Sequence, residues 1–206
     1  MGNPMSEYEF TVDWFEQYRG TWDAVLNMFP PRKVLEIGSF EGRSACYLIE
    51  RLSNVENSEL YCVDTWEGGE DHAGYDMGPV EGRFLRNTAI ASAKSDNKCK
   101  PIILKGLSSD ILIKLISEGH SGTFDMIYID GSHQAPDVLE DLVLSYKLCK
   151  APGIIICDDY LWRCPTIPNI VHEPKIAIDS FVNIYRERVG LIMRAPLVQV
   201  YIQKLK

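Results

Sequence analysis

Six side chains of this sequence could share chemistry if the fold gathers them. Glu36 lies inside the run VLEIGSFEGRS (residues 34–44), just ahead of Gly38 and Gly42. Asp64 closes the run ELYCVD (59–64). Asp130 closes FDMIYID (124–130), His133 follows it in GSH, and Asp158 and Asp159 close GIIICDD (153–159). If the last two runs are neighbouring strands, Asp130, Asp158 and Asp159 converge at one edge. Like charges so close resist ionisation unless a cation sits among them. An all-oxygen set suits a hard divalent ion, Mg2+ first and Mn2+ or Ca2+ next, with water and substrate oxygens completing the shell. The blander alternative makes Asp159 a solvent-facing loop or capping residue. A histidine side chain, whose ordinary pKa is near neutral, can take a proton from a hydroxyl, and His133 stands where it could do so. A metal ion on that hydroxyl would ease its deprotonation. The bland reading of His133 is a polar residue at a helix start.

The glycines of GSFEG permit a tight turn and close backbone approach, and the free N–H groups of a helix start attract an anion. The pattern is not G-x-G-x-x-G, so a dinucleotide pyrophosphate fits poorly and a smaller anion, such as an amino-acid carboxylate, fits better. Glu36 would repel a phosphate but could meet a cationic group. Asp64 stands a little further on than the about 20 residues at which NAD folds carry a ribose-binding acid, and could accept both ribose hydroxyls. Carboxylate, ammonium and ribose together describe S-adenosylmethionine. The alternative is a βα turn that merely needs glycine.

These residues need a sheet to position them. KVLEIG (33–38), ELYCVD, PIILK (101–105), FDMIYID and GIIICDD are almost continuously apolar, as parallel strands covered on both faces are. Helical periodicity falls between them. It is clearest over 135–149, where Ala135, Val138, Leu139, Leu142, Tyr146 and Cys149 share a face opposite Asp137, Glu140, Asp141 and Lys147. Residues 42–52, 80–94 and 107–118 read the same way. This alternation predicts a doubly wound sheet. The end differs: a helix over 175–189, then GLIMR and LVQVYIQKL separated by Ala195-Pro196, which predicts an antiparallel pair. The expected architecture is a mostly parallel, seven-stranded α/β sheet closed by an antiparallel C-terminal hairpin. The opening 30 residues predict one or two amphipathic helices ended by Pro30-Pro31.

The 206 residues suit one domain over 1–206, with a helical cap over 1–31 and an α/β core over 32–206. Hydrophobic residues make up 46% and charged residues 24%, the balance of a globular protein. A net charge of -8 argues against a nucleic-acid surface. No apolar run is long enough to cross a bilayer, and MGNPMSEYEF has no signal-peptide pattern, so no membrane partner is expected. The six cysteines include no C-x-x-C, so buried free thiols in a reducing, cytoplasmic compartment are expected.

Together, VLEIGSFEGRS, LYCVDTW, KGLSSDIL, FDMIYIDGSH and GIIICDDYLW resemble class I S-adenosylmethionine-dependent methyltransferases. The resemblance is strongest to small metal-dependent O-methyltransferases of the catechol and macrolide-sugar kinds, and it runs from about Lys33 to the C-terminus. It implies a Rossmann-like methyltransferase fold. It implies that Glu36, Gly38, Ser39 and Gly42 form the methionine side of the cofactor site, with Ser44 near its carboxylate. Asp64 would hold the ribose, with Thr65 and Trp66 beside it, and Ser108 and Ser109 would border the adenine. Metal-binding relatives carry acids at the positions of Asp130 and Asp158 and an amide at Asp159, so Asp159 departs from the pattern. In metal-free relatives the acid at the Asp130 position contacts the cofactor's amino group instead. Catechol-type enzymes carry a lysine base where this chain has His133.

The function implied is methyl transfer to a small hydroxylated acceptor, sugar-like or phenol-like. Alternatives are a metal-free N- or other methyltransferase, and a module that binds the cofactor without transferring methyl. Two long segments, 65–79 and 160–174, are expected to shape the acceptor pocket. Trp66 and Trp162 could wall it or pack as core. The terminal hairpin or the N-terminal helices could pair subunits.

Overall fold

A computed structural model describes residues 7–69, 72–164, 169–193 and 195–206. The five apolar runs form β1 (Lys33–Ile37), β2 (Glu59–Asp64), β3 (Pro101–Lys105), β4 (Phe124–Ile129) and β5 (Cys149–Cys157). With β6 (Val189–Leu191) and β7 (Val200–Lys204) they make a seven-stranded sheet, in the order β3-β2-β1-β4-β5-β7-β6. The first five strands pair in parallel, and β7 runs antiparallel to both β5 and β6. Parallel pairing requires crossovers, supplied by α2 (Arg43–Leu52), α3 (Val80–Lys94), α4 (Ser108–Ser117) and α5 (Ala135–Leu148). Before β1 stands α1 (Arg19–Met28), and before β6 stands α6 (Pro174–Ile184). No helix among the described residues is long and apolar enough to cross a membrane.

Strand alternation splits the core into two layers. Val34, Leu60, Cys62, Met126, Tyr128, Ile154 and Ile156 face α1, α2 and α3, where Trp22, Leu48 and Phe84 are buried. Leu35, Ile37, Val63, Ile127, Ile129 and Ile155 face α4, α5 and α6, against Leu112, Leu142 and Phe181. Each fully buried aliphatic or aromatic side chain here contributes roughly 1.5–3 kcal/mol. Glu36 continues the first set on β1. The period of two carries that face on to Asp64, Asp130 and Asp158, each two residues beyond Cys62, Tyr128 and Ile156.

Of the one or two N-terminal helices expected, one forms, α1; a single 3-10 turn covers Glu16–Tyr18, and residues 7–15 are neither helix nor strand. Residues 7–15 are held as a strap. Glu9 N–H donates to Asn87 Oδ1 at 2.8 Å, and Thr11 N–H and Oγ1 donate to Glu41 at 2.6 and 2.8 Å. The helix expected over 175–189 ends at Ile184, and a turn carries the chain to β6. GLIMR gives only the three-residue β6, so residues 192–199, not two residues, separate it from β7. Cys149, expected on the α5 face, opens β5 instead. All six cysteines are free, and all but Cys164 are buried.

Candidate active site

Backbone pairing continues one step past the strand ends and fixes the residues that follow. Gly38 N–H donates to Val63 O at 2.9 Å, Asp130 N–H to Ile37 O at 2.8 Å, and Asp158 N–H to Ile129 O at 2.9 Å. The β1–α2 turn, the end of β4 and the end of β5 therefore sit side by side at the carboxyl edge of the sheet, where open α/β folds bind ligands. Gly38 has φ +83°, and a Cβ there would lie 1.9 Å from Asp130 O. Only glycine lets the turn approach β4 so closely.

Asp64 organises this turn. Its Oδ2 accepts from Ser39 N–H and Phe40 N–H, both at 2.8 Å, and its Oδ1 accepts from Trp66 N–H at 2.7 Å. Three backbone amides thus occupy the carboxylate that the sequence assigned to a ribose. They also hold two non-glycine residues at positive φ, Phe40 at 45° and Trp66 at 55°. Trp66 is buried, donates from Nε1 to Phe40 O at 2.9 Å and packs on Phe84; it is core, not a pocket wall.

Glu36 is fully buried. Its Oε2 accepts from Ser39 Oγ at 2.6 Å, while Oε1 has no partner in hydrogen-bond geometry among the described residues. Burial pushes its carboxyl up to about 7, against the opposing pull of Ser39, Ser44 and Cys62 nearby. A buried carboxylate oxygen without a donor is costly, and a cationic group placed against it would relieve that cost. Ser44 is buried beside it at the start of α2.

The second cluster joins Asp130, His133 and Asp159, each offering a ligand atom within 4.8 Å of the others. His133 Nε2 lies 2.8 Å from Asp159 Oδ2. Its ring packs tilted, at 53°, against Trp162 with ring centroids 4.4 Å apart, and the 160–164 segment is folded over it through a Trp162 N–H to Asp159 O bond of 2.9 Å. Asp159 adopts φ 55°, a left-handed conformation that Asp tolerates better than most residues.

Asp158 is set to one side of this trio. Its Oδ1 accepts from Asp159 N–H at 2.8 Å. Its Oδ2 accepts from Gln199 Nε2 at 2.7 Å and makes a short contact with the Tyr128 hydroxyl. The same hydroxyl reaches Asp130 Oδ2 at 2.8 Å. Tyr128 has one proton for two carboxylates, so it binds them as a bridge. Burial and the mutual repulsion of Asp158 and Asp159 push Asp158 up to about 6, and burial with the same two neighbours holds Asp130 well above the usual carboxylate range. The Tyr18 phenol, in the 3-10 turn ahead of α1, is pushed up by burial and by the charges of Asp158, Asp159 and Asp130. Acids that repel one another in a dry site fit a divalent cation, which Asp130 and Asp159 could ligate through oxygen with the His133 imidazole beside them.

Of the residues marked by the sequence, Glu36, Gly38, Ser39, Gly42, Ser44 and Asp64 gather around the first turn. Asp130, His133 and Asp159 form the second cluster, with Asp158 behind it. Thr65 follows Asp64, and its Oγ1 accepts from Glu67 N–H at 3.2 Å. Ser108 and Ser109 open α4, and the Ser108 side chain turns inward to the buried Asp141. Tyr128, Gln199 and Tyr18 were not foreseen. Tyr128 could have been: it stands two residues before Asp130 on one strand and so shares its face. An apolar cleft of about 230 Å³ lined by Leu26, Pro30, Leu48 and Leu52 lies at the other end of the sheet and holds none of these groups.

Similar proteins were found by sequence and by structure. A probable caffeoyl-CoA O-methyltransferase 3 of Dictyostelium discoideum is 28% identical over 153 residues, 73% of this chain and 52% of that protein. Caffeoyl-CoA O-methyltransferase 1 of Eucalyptus globulus is 25% identical over 169 residues, 79% of this chain and 57% of that protein. The chain spans about half the length of the curated relatives it matches. The fold is shared with an O-methyltransferase from Bacillus cereus solved in complex with SAH (TM-score 0.68, 20% identity, 96% of this chain and 84% of that one). It is also shared with the O-methyltransferase TomG from Streptomyces achromogenes, solved with SAM (TM-score 0.62, 18% identity, 90% and 78%). Residues 35–160, from β1 to just past Asp159, match the family model described as a methyltransferase domain, so the chain belongs to that methyltransferase family.

Proposed function

We propose that this chain is an S-adenosylmethionine-dependent O-methyltransferase that uses a divalent ion and acts on a small hydroxylated acceptor. We read it as one domain over 1–206, with 1–31 as cap and 32–206 as catalytic core. The observation that carries the reading is the placement of two unlike sites on one sheet edge. One is a buried, half-satisfied Glu36 beside a glycine turn, suited to an ammonium. The other is a carboxylate–imidazole cluster suited to a divalent cation. Relatives named as O-methyltransferases, and fold neighbours solved with SAM or SAH, support the same reading.

S-adenosylmethionine, when bound, supplies a methyl group on a sulfonium. Glu36, Gly38, Ser39, Gly42 and Ser44 are the residues proposed to hold its methionine end, with Thr65, Ser108 and Ser109 toward the nucleoside. A divalent ion, Mg2+ or Mn2+, when bound lowers the pKa of a hydroxyl beside it. Asp130 and Asp159 are proposed to hold that ion, and Asp158 fixes the pair from behind. His133 Nε2 is then released from Asp159 and takes the acceptor's proton as the acceptor oxygen bonds the methyl carbon. The cofactor would supply the leaving group, a neutral thioether that keeps the electron pair of the methyl–sulfur bond. The protein's task is alignment and proton removal. Trp162, packed against His133, is placed to border a flat or sugar-like acceptor. The buried free thiols suit a reducing compartment such as the cytosol.

Calorimetric titration with S-adenosylmethionine, in EDTA and then in Mg2+, tests the reading. Cofactor binding in both conditions, and turnover on a hydroxylated acceptor only with the ion, is the expected result. No heat with the cofactor would reject it.

A further inference from the structure

A chain of buried polar groups links the N-terminal helix to the acidic cluster. Trp22 on α1 is fully buried, and its indole Nε1–H donates to Gln199 Oε1 at 2.9 Å. The Tyr201 hydroxyl donates to the same oxygen at 2.6 Å. From the other end of the amide, Gln199 Nε2 donates to Asp158 Oδ2 at 2.7 Å. Asp158 meets the Tyr128 hydroxyl, and that hydroxyl reaches Asp130 Oδ2 at 2.8 Å. Gln199 itself is 2% exposed, so water cannot replace these partners.

The chemistry of the partners permits one orientation of the amide. An indole N–H only donates, so the amide oxygen must face Trp22. The NH2 group then faces Asp158, whose carboxylate accepts. A flipped amide would set two donors against each other at Trp22 and an oxygen against a carboxylate at Asp158. The Tyr201 hydroxyl donates or accepts and so suits either orientation. Trp22 and Asp158 together forbid the flip.

We infer that Gln199 is a positioning residue. Its amide, oriented by Trp22, holds Asp158 and through Tyr128 the Asp130 carboxylate, so that seating α1 on the sheet is a condition for assembling the acidic cluster. Helix docking and cluster geometry are then one event, not two. This role deepens the ion site proposed above and presupposes it where ion affinity is the readout.

The test uses the full chain and Mn2+ as probe, read by electron paramagnetic resonance, with the exchange rate of the Trp22 indole proton read by NMR. Gln199→Met keeps the volume and removes the amide; Trp22→Phe keeps most of the packing and removes the indole donor. Gln199→Met is expected to weaken Mn2+ binding about 10-fold, toward the low end of what loss of outer hydrogen bonds around a metal site costs, because it acts on the ligands through Asp158 and Tyr128. Trp22→Phe weakens it in the same direction, and the double variant is no weaker than Gln199→Met. The indole proton exchanges slowly in the wild type and fast in Gln199→Met. A role in packing alone would lower the thermal midpoint and leave Mn2+ affinity unchanged, which overturns the proposal. Additive losses in the double variant also overturn it. A wild type that binds no Mn2+ rejects the ion site; the amide chain is then decided by the indole proton, whose protection surviving in Gln199→Met overturns it and whose loss supports it.

Discussion

His133 Nε2 and Asp159 Oδ2 are 2.8 Å apart, joined across the gap between the β4 and β5 ends. The proposed base is therefore parked on a proposed ion ligand until a cation takes that oxygen. Replacing His133 by Ala is expected to lower turnover about 10²- to 10⁴-fold, the usual share of a general base. The loss should shrink as pH rises and hydroxide substitutes. Product formation measured from pH 6 to 9 checks this. A profile of unchanged shape would show that His133 moves no proton.

Gly38 admits no side chain. At φ +83° with Asp130 O only 1.9 Å from an added Cβ, Gly38→Ala must push the β1–α2 turn away from β4. The expected cost is at least about 2–3 kcal/mol, since neither the strain nor the clash with backbone can relax cheaply. Urea denaturation measures it. Cofactor affinity should fall with it, because the turn belongs to the proposed cofactor site and abuts Asp130 of the proposed ion site.

Asp141 gives a pH signature. It lies on α5, 1% exposed, with Oδ1 lacking a partner, and burial pushes its carboxyl up to about 7. The folded state holds this proton more tightly than the unfolded chain, whose carboxyl titrates near the ordinary value of about 3.9. Its contribution to stability is therefore whole below about pH 4 and is lost as pH rises toward 7, on the order of 4 kcal/mol in all. Asp141→Asn should flatten that dependence. It is expected to be more stable than the wild type at pH 8 and no more stable at pH 4. Denaturation midpoints at the two pH values decide.

Glu41 fastens the N-terminal strap. It is 2% exposed and accepts from Thr11 N–H, Thr11 Oγ1 and Arg83 Nη1, the last at 2.9 Å. Glu41→Ala removes the acceptor that all three donors share and should cost about 1–3 kcal/mol. The strap should then be cut by protease within residues 7–15 while the sheet stays intact. Mass mapping of the fragments tests this; unchanged resistance would mean that Asn87 and the aromatic packing hold the strap alone.

The sheet was legible because its signals are local. Continuous apolar runs marked β1 to β5, helical periodicity marked the crossovers, and the acids stand immediately after the strands they close. The antiparallel ending was legible for the same reason, although the chain between β6 and β7 is longer than Ala195-Pro196 suggested. What could not be read is the polar wiring. Trp22 and Gln199 are 177 residues apart, and neither has a local pattern that names the other. Gln199 stood in an apolar run as an unexplained amide, a signal for a buried polar partner but not for its identity. The same limit applies to Asp64. Its position at the end of β2 predicted a ligand-edge carboxylate, and only the coordinates show three backbone amides bound to it. The strap was missed because its hydrogen bonds go to Glu41 and Asn87, not to itself, so no helical or strand period was needed to satisfy it.

The ladder that runs one amide past the strand ends sets the pitch of the acidic edge. Neighbouring strands lie about 4.8 Å apart, and Asp130 and Asp158 hang from the first rung beyond β4 and β5. The distance between their backbones is thus a lattice constant of the sheet, owed to the peptide groups and indifferent to the side chains mounted there. An engineer could exchange those side chains for other donors, amide or imidazole, and re-chelate the edge for a different cation without remaking the frame beneath it.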